Sequence, residues 1–119
     1  MLIAEDNKIN MLLVRTFLNK ILPEATLIEA INGKEAVQRY QTEKPDLILM
    51  DVQMPEMNGY EAATEIRKLE TGNRVPILAL TAGTLKGEKE RCMAAGMDDY
   101  LIKPILKETL ETVLDQWLS

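Results

Sequence analysis

The segment Asp46–Gln53 reads DLILMDVQ. Within it, the uninterrupted apolar run Leu47–Met50 is followed by Asp51. A run without alternating polar residues predicts a strand that is buried on both faces. The segment Ile77–Leu80 reads ILAL and predicts a second strand of this kind. Strands buried on both faces are typical of a parallel sheet covered by helices, so these two segments indicate an α/β fold.

Predicted strands alternate with helical patterns along the whole chain. The strands are predicted at Met1–Ala4, Ala25–Ile31, Asp46–Met50, Pro76–Leu80 and Asp99–Ile102. Helices are predicted over about Lys8–Leu22, after the capping-box sequences Asn32–Glu35 and Asn58–Glu61, over Leu85–Ala95, and around an apolar face of Leu106, Leu110, Val113, Leu114 and Trp117. This alternation predicts a single domain over residues 1–119 with a three-layer, flavodoxin-like, doubly wound (βα)5 fold. Its five parallel strands are expected in the order 2-1-3-4-5.

Composition restricts the function further. The 119 residues are 46% hydrophobic and 28% charged, which is typical of one globular domain, and no apolar run is long enough to cross a bilayer. The net charge of −5 argues against nucleic-acid binding. The chain has no histidine, so a phosphohistidine would have to come from another molecule or domain. Its single cysteine, Cys92, excludes an intrachain disulfide, is compatible with a reducing cytosol, and is predicted to be a packed side chain.

Acidic residues follow two strands that this order makes neighbours. Glu5 and Asp6 come after the first strand and Asp51 after the third, where the winding of the chain reverses and such folds bind ligands. Three carboxylates in one place need a cation or raised pKa values, and oxygen ligands suit Mg²⁺. We therefore predict a Mg²⁺ site with Asp6, Asp51 and the backbone carbonyl of Gln53 as direct ligands, and with Glu5 binding through water.

Any one of these acids alone would more simply be solvated or cap a helix, and Asp6 could cap the first helix. Three other acids, Asp46, Asp98 and Asp99, are useful comparisons because they lie at strand beginnings, at the opposite edge of the predicted sheet. We predict that these three are solvated.

Cationic and hydroxyl side chains follow the remaining strands. Lys103 comes directly after Tyr100–Ile102, and Thr81 ends the fourth strand, so both are predicted to reach the same pocket and to contact phosphoryl oxygens there. Ala82 is small and leaves room for a phosphoryl donor. A cis Lys103–Pro104 peptide bond would direct the ammonium inward, whereas an exposed lysine is the simpler alternative.

Taken together, these residues resemble the receiver domain of response regulators in two-component phosphorelay signalling, over nearly the whole chain. The matching residues are the acidic pair Glu5-Asp6, the phosphoacceptor Asp51, the switch residues Thr81 and Tyr100, the pair Lys103-Pro104, and the loop residues Met54-Pro55 and Asn58-Gly59. The sequence of residues 4–7 is more similar to receivers fused to hybrid sensor histidine kinases than to free-standing regulators. We therefore expect a domain excised from such a kinase, with an added initiator methionine; a free-standing receiver is the alternative.

The resemblance implies a phosphoryl transfer to Asp51. The donor would be a histidine kinase or a histidine phosphotransfer protein, and Mg²⁺ and Lys103 would offset the negative charge of the transferring group. The resulting acyl phosphate would hydrolyse slowly in the same pocket, and Gln53 and Gly83 occupy positions that tune its lifetime in the family. The domain would not be an enzyme that turns over external substrates.

The resemblance also implies a conformational switch. Thr81 and Tyr100 would respond to the phosphoryl group and change the surface of the fourth helix, fifth strand and fifth helix, through which a homodimer could form. The simpler alternative for Tyr100 is a partly buried strand residue with no switching role. The domain is expected to make no membrane contact and to lie in the cytoplasm or in the cytoplasmic part of a membrane-bound hybrid kinase.

The first helix is more apolar than one buried stripe requires. Its apolar residues are Ile9, Met11, Leu12, Leu13, Val14, Phe17, Leu18, Ile21 and Leu22. The helix is either buried between its neighbours or forms a docking face for a helical phosphotransfer partner beside the acidic pocket.

Three other functions are compatible with this fold. A Mg²⁺-dependent aspartyl phosphatase usually needs a second acid two residues after its aspartate, and that position holds Gln53. A flavin-binding module needs a loop rich in glycine and hydroxyl residues after the first strand, whereas Glu5–Lys8 would repel phosphate. A degenerate receiver that only binds other proteins is expected to lack a site residue, and none of the site residues is missing.

Overall fold

The computed structural model describes residues 1–83 and 87–118. Its strands are β1 (Leu2–Ala4), β2 (Ile28–Ala30), β3 (Ile48–Asp51), β4 (Ile77–Thr81) and β5 (Asp99–Ile102). Its helices are α1 (Lys8–Ile21), α2 (Gly33–Glu43), α3 (Gly59–Leu69), α4 (Glu88–Ala94) and α5 (Lys107–Leu118). The strands are parallel and pair in the order β2-β1-β3-β4-β5, which confirms the predicted flavodoxin-like topology. No helix within the described ranges combines the length and the apolar character needed to cross a membrane.

The sheet separates two apolar cores, which is why β3 contains no polar residue before Asp51. Ile48 and Met50 face one core, Leu49 faces the other, and all three side chains are fully buried. The first core lies between the sheet and α2, α3 and α4, and the second between the sheet and α1 and α5. Cys92 is buried in the first core, as its predicted packing role requires, and burial raises the pKa of its thiol. The result is the predicted three-layer arrangement.

The cap of α1 is Asn7 rather than Asp6. The side-chain oxygen of Asn7 accepts hydrogen bonds from the backbone N–H groups of Ile9 and Asn10, at 2.9 and 3.0 Å. Such a cap contributes about 1 kcal/mol to helix stability. Asp6 is therefore not needed by the helix and lies exposed at the carboxyl end of β1.

The start of α3 lies close against the end of β3. Asn58 and Glu61 form a complete capping box, with bonds of 2.9 and 3.1 Å between each side chain and the other residue's backbone N–H. A Cβ atom on Gly59 would lie only 2.2 Å from the carbonyl oxygen of Asp51. Only glycine permits this approach, so Gly59 fixes the loop that borders Asp51.

Several predicted element boundaries differ from the structure by one to three residues, and one cap differs. β3 and β4 begin at Ile48 and Ile77 rather than at Asp46 and Pro76. β2 is shorter than the predicted Ala25–Ile31, because it is an edge strand that pairs only with the three residues of β1. α4 begins at Glu88, and the predicted start at Leu85 lies outside the described residues. The capping box at Asn32 is incomplete, because the Glu35 carboxylate accepts its hydrogen bond from the N–H of Ile31 instead, at 3.3 Å.

Two of the five residues predicted for the apolar face of α5 are exposed. Leu106 precedes the helix and is 61% exposed. Trp117 lies at the rim, where its indole N–H donates to Asp99 Oδ2 at 3.0 Å. Asp99 is therefore half-buried rather than solvated, whereas Asp46 is exposed as predicted. The rest of the face packs into the second core: Leu110, Val113 and Leu114.

The prediction that Asp98 is solvated was wrong. Its side chain is only 10% exposed and pairs with Arg67 Nη2 at 2.7 Å and with Arg74 Nη2 at 2.9 Å. It also accepts a hydrogen bond from the backbone N–H of Ile77 at 2.8 Å. The neutralising arginines belong to α3 and to the loop before β4, so the residues around Asp98 in sequence give no sign of them.

Candidate functional site

A cleft of about 650 Å³ opens at the carboxyl ends of β1, β3 and β5. Its lining includes most of the predicted site residues: Glu5, Asp6, Asp51, Gln53, Ala82 and Lys103. The structure therefore brings together in one place the acids, the ammonium and the small residue that the strand ends predicted.

The ammonium of Lys103 lies between two buried carboxylates. Its Nζ atom is 3.0 Å from Asp51 Oδ2 and 3.4 Å from Glu5 Oε2. Burial by itself would lower the pKa of Lys103, but the hydrogen bond to Asp51 and the charges of Asp51 and Glu5 outweigh it and raise the pKa overall. Lys103 is thus held as a cation against Asp51, and the Lys103–Pro104 peptide bond is cis.

Glu5 is the site residue whose ionisation the surroundings change most. Burial raises the pKa of Glu5 to about 7, and the hydrogen bond with Asp51 and the charge of Asp51 raise it as well. Asn10 Nδ2 donates to Glu5 Oε1 at 3.1 Å and opposes this rise. Sequence reasoning missed Asn10, although its place in the first turn of α1, next to the end of β1, could have indicated this contact.

The three carboxylates fit a divalent cation. Glu5, Asp6 and Asp51 each offer one oxygen, and the three oxygens lie within 4.8 Å of one another. Within residues 1–83 and 87–118, Lys103 is the cation that pairs with these acids, and it cannot balance three negative charges. Clustered oxygen donors at an open cleft are the kind of ligand set that Mg²⁺ binds. The backbone N–H of Gln53 donates to Asp51 Oδ1 at 3.1 Å and fixes the orientation of that carboxylate.

Thr81 is buried at the end of β4, but its hydroxyl is engaged outside the acidic cleft. The hydroxyl donates to Glu88 Oε1 at 2.6 Å and accepts from the N–H of Gly83 at 3.1 Å. Tyr60 donates its phenol hydroxyl to the same Glu88 oxygen at 2.5 Å. Among the described residues, Asp51 is not a hydrogen-bonding partner of Thr81. The contact predicted for Thr81 is with phosphoryl oxygens, and it stays a prediction.

Sequence reasoning missed both Glu88 and Tyr60. The signal for Glu88 is an acid in the first turn of the helix that follows the Thr81 strand. The signal for Tyr60 is a hydroxyl directly after the Asn58-Gly59 cap. Neither is specific enough to single out these residues before the helices are placed.

The other predicted residues surround Thr81 and the cleft. Tyr100 is half-buried and packs against the first core, on the side of the sheet that faces α4. Gly83 has φ of +67°, and a Cβ atom there would lie 3.0 Å from the Ile102 side chain. Ala82 is exposed on the cleft wall.

Helix α1 is not buried all round. Met11, Val14 and Leu18 pack into the second core, whereas Ile9 and Leu12 are 78% and 66% exposed. Asn10, between these two exposed residues, lines the cleft. The account of α1 as a fully buried helix is therefore wrong, and α1 presents an apolar surface next to the acidic site.

Sequence comparison places the chain among signalling proteins. Residues 1–115 match the family described as response regulator receiver domain. The hybrid signal transduction protein dokA of Dictyostelium discoideum is 42% identical over 99% of this chain, and the sensor histidine kinase GacS of Pseudomonas protegens is 41% identical over 98% of it. The chain spans only 7% and 13% of the length of these two relatives.

Solved structures agree with this relationship. The receiver domain of the sensor histidine kinase PA1611 from Pseudomonas aeruginosa is 39% identical, with a TM-score of 0.88 over 98% of this chain and 94% of that one, and it holds a magnesium ion in its active site cleft. The co-crystal structure of the Saccharomyces cerevisiae histidine phosphotransfer protein Ypd1 with the receiver domain of Ssk1 matches with a TM-score of 0.88 at 34% identity, over 98% of this chain and 86% of that one.

Proposed function

Because this chain belongs to the response regulator receiver domain family, we propose that Asp51 accepts a phosphoryl group from a phosphohistidine on a partner protein. The observation that carries the proposal is the buried Asp51 carboxylate, which lies 3.0 Å from Lys103 Nζ in an open cleft. The partner is a histidine kinase or a histidine phosphotransfer protein. The sensor histidine kinase GacS, the hybrid signal transduction protein dokA, and the Ypd1 complex of a similar receiver support this choice.

The side chains divide the chemistry between them. An Asp51 oxygen attacks phosphorus in line while the phosphorus–nitrogen bond breaks and the histidine leaves. The Lys103 ammonium offsets charge on the transferring group, and the Gln53 N–H holds the other Asp51 oxygen in place. When bound by Asp6, Asp51 and the Gln53 backbone carbonyl, with Glu5 through water, Mg²⁺ would supply further positive charge to the phosphoryl oxygens.

Hydrolysis later returns Asp51 to its free carboxylate when water attacks the phosphorus, the bond between phosphorus and the Asp51 oxygen breaks, and inorganic phosphate leaves. We propose that Gln53 and Gly83 set the lifetime by controlling access of water to the cleft, where Ala82 leaves one wall open. The domain then acts as a phosphoacceptor that is reset, rather than as an enzyme for external phosphate esters.

The test is incubation with a small phosphodonor and Mg²⁺, followed by mass spectrometry of the intact protein. The wild type should gain a single phosphate, and Asp51→Asn should gain none. Asp46→Asn is the matched control, because it removes an exposed aspartate at the other edge of the sheet, and it should label like the wild type. Label that persists in Asp51→Asn, or a wild type that never labels, would refute the proposal.

We propose that α1 is the docking face for the helical phosphotransfer partner. The exposed apolar residues Ile9 and Leu12, next to the cleft, support it. Leu12→Asp should slow transfer from a phosphohistidine protein while leaving labelling by a small phosphodonor unchanged. Leu69→Asp, at the end of α3 far from the cleft, is the control and should leave both unchanged. Equal transfer to wild type and Leu12→Asp would reject docking through α1.

We propose that Thr81 and Tyr100 switch the α4-β5-α5 surface after phosphorylation and that a homodimer forms there. Ile102 and Leu106 are exposed apolar residues on this surface, which supports an interface. Sedimentation of the protein with and without a beryllium fluoride mimic of the phosphoryl group tests this, since Ile102→Glu should abolish any dimer. We propose that the domain is part of a hybrid histidine kinase, since its relatives include the hybrid signal transduction protein dokA and the sensor histidine kinase GacS, and that it lies in the cytoplasm.

A further inference from the structure

Glu88 joins three elements of the structure, yet the phosphoryl transfer described above gives it no role. It stands at the first position of α4 and accepts hydrogen bonds from Thr81 on β4 and from Tyr60 on α3, both through Oε1. The Tyr60 ring is itself held by Arg91, whose guanidinium carbon lies 4.2 Å from the ring centroid. Glu88 is therefore fixed by two donors, one of which is the switch hydroxyl.

The bonds to Glu88 are of the strong, charge-assisted kind. Distances of 2.5 and 2.6 Å between hydroxyl and carboxylate oxygens are in the range for an ionised acceptor. The hydrogen bonds from Thr81 and Tyr60 lower the pKa of Glu88, so it is a carboxylate at neutral pH. Burial and the bond to Glu88 raise the pKa of Tyr60, so the phenol keeps its proton and donates.

The Thr81 hydroxyl has one proton, and this limits what it can do. It can donate either to Glu88 or to an oxygen of a phosphoryl group on Asp51, but not fully to both. The N–H of Gly83 already donates to the same hydroxyl oxygen, which further fixes its direction.

We propose that Glu88 is a positioning residue that competes with phosphorylated Asp51 for the proton of the Thr81 hydroxyl and so opposes the phosphorylated conformation. This inference rests on the proposed role of Asp51 and adds a regulator of the same site. When the Thr81 hydroxyl donates to the phosphoryl group instead of to Glu88, Tyr60 remains as a donor to Glu88. The state of Asp51 is thereby transmitted to the first turn of α4.

The experiment measures the affinity for beryllium fluoride by calorimetry in the presence of Mg²⁺. Glu88→Gln keeps the shape of the side chain but replaces the charged acceptor by a weaker neutral one, so the mimic should bind about fivefold more tightly. Glu90→Gln is the matched control, because it removes the same charge from an exposed position in the same helix, and its affinity should equal that of the wild type.

Two further measurements separate positioning from a merely structural role. In a Thr81→Val background, Glu88→Gln should no longer change the affinity, because the contested proton is gone. Tyr60→Phe removes the second donor to Glu88, which then holds the Thr81 proton more strongly, so the mimic should bind about twofold more weakly. This variant serves as the second test if Glu88→Gln folds poorly. Thermal unfolding without the mimic reports the stability of each variant.

The outcomes distinguish this inference from the proposed function. A wild type that does not bind the mimic refutes the proposed role of Asp51, and it also refutes the competition between Glu88 and phosphorylated Asp51. A wild type that binds, with Glu88→Gln equal to Glu90→Gln, overturns the competition alone. A Glu88→Gln variant that only unfolds more easily, without tighter binding, shows a structural contact and also overturns it.

Discussion

The two ends of the sheet each hold a cluster of acids, and the two clusters differ in their charge balance. At the strand beginnings, Asp98 and Glu70 pair with Arg67 and Arg74, so two acids face two arginines. At the strand ends, three carboxylates lie together, and Lys103 is the one ammonium among the described residues that pairs with them. Both acids of the first cluster are nearly buried and hydrogen-bonded, whereas the acids of the second line an open cleft.

This difference separates a stabilising cluster from the proposed binding site. A balanced and hydrogen-bonded cluster has no capacity left for another charge, and breaking it costs stability. Carboxylates without a balancing charge destabilise the folded chain until a proton or a cation neutralises them. The raised pKa of Glu5, about 7, reflects this destabilisation. The charge surplus, rather than the number of acids, therefore marks the functional end of the sheet.

The largest expected effect comes from breaking the balanced cluster. Asp98→Ala removes one carboxylate partner of the nearly buried Arg67, which keeps Glu70, and also removes the acceptor of the Ile77 N–H, so unfolding should become easier by about 3 kcal/mol. Urea denaturation measures this. Asp46→Ala, at the same edge but exposed, should change stability by less than about 0.5 kcal/mol. Equal stability of the two variants would show that the balanced cluster contributes nothing.

The next effect comes from removing the ammonium at the other end. Lys103→Met should slow labelling by a small phosphodonor about 100-fold, equivalent to about 2.7 kcal/mol of transition-state stabilisation. Arg74→Met is the reciprocal control, because it removes a cation from the balanced cluster, and it should leave the labelling rate unchanged while lowering stability. Mass spectrometry over time follows the rate. Labelling of Lys103→Met at the wild-type rate would contradict the role of the ammonium.

Sequence alone predicts the functional end of the sheet better than the balanced end. The continuous runs of β3 and β4 fix parallel buried strands, and parallel strands necessarily bring Glu5, Asp51 and Lys103 to one edge. Local patterns such as the Asn58 cap act within a few residues, so they too can be read directly.

The predictions fail where distant residues decide the outcome. Asp98 looks solvated until Arg67 and Arg74 are placed beside it. Glu88, the partner of Thr81 in this structure, is likewise not indicated by the sequence around either residue. Side-chain pairing between helices and loops depends on packing that no local pattern encodes. The failures therefore concern partners rather than the positions of strands.

A third effect is the pH dependence that Glu5 gives to the unbalanced site in the absence of Mg²⁺. Burial raises its pKa from 4.5 to about 7, so between these values the folded chain holds a proton that the unfolded chain has released. The contribution of Glu5 to the free energy of unfolding should therefore be highest below pH 4.5. It should fall as pH rises through about 7, by on the order of 2 kcal/mol.

Comparison with Glu5→Gln isolates this contribution, because glutamine does not titrate. The difference in unfolding free energy between wild type and Glu5→Gln should change across this window and be constant above and below it. Glu108→Gln, in the first turn of α5, is the control and should parallel the wild type. Parallel curves for the wild type and Glu5→Gln would mean that the surplus charge is compensated in some other way.

The smallest effect is the gain in unfolding free energy when Mg²⁺ supplies positive charge to the three carboxylates. At a Mg²⁺ concentration ten times the dissociation constant, a cation that binds only the folded chain raises the unfolding free energy by about 1.4 kcal/mol. Asp6→Asn removes a proposed direct ligand that α1 does not need for its cap, so this variant should keep its metal-free stability and lose the gain. Asp46→Asn removes the same charge at the other edge of the sheet and should keep the gain in full. If Mg²⁺ stabilised Asp6→Asn as much as Asp46→Asn, the cation would be responding to the overall negative charge of the chain, and the surplus at the strand ends would not be a metal site.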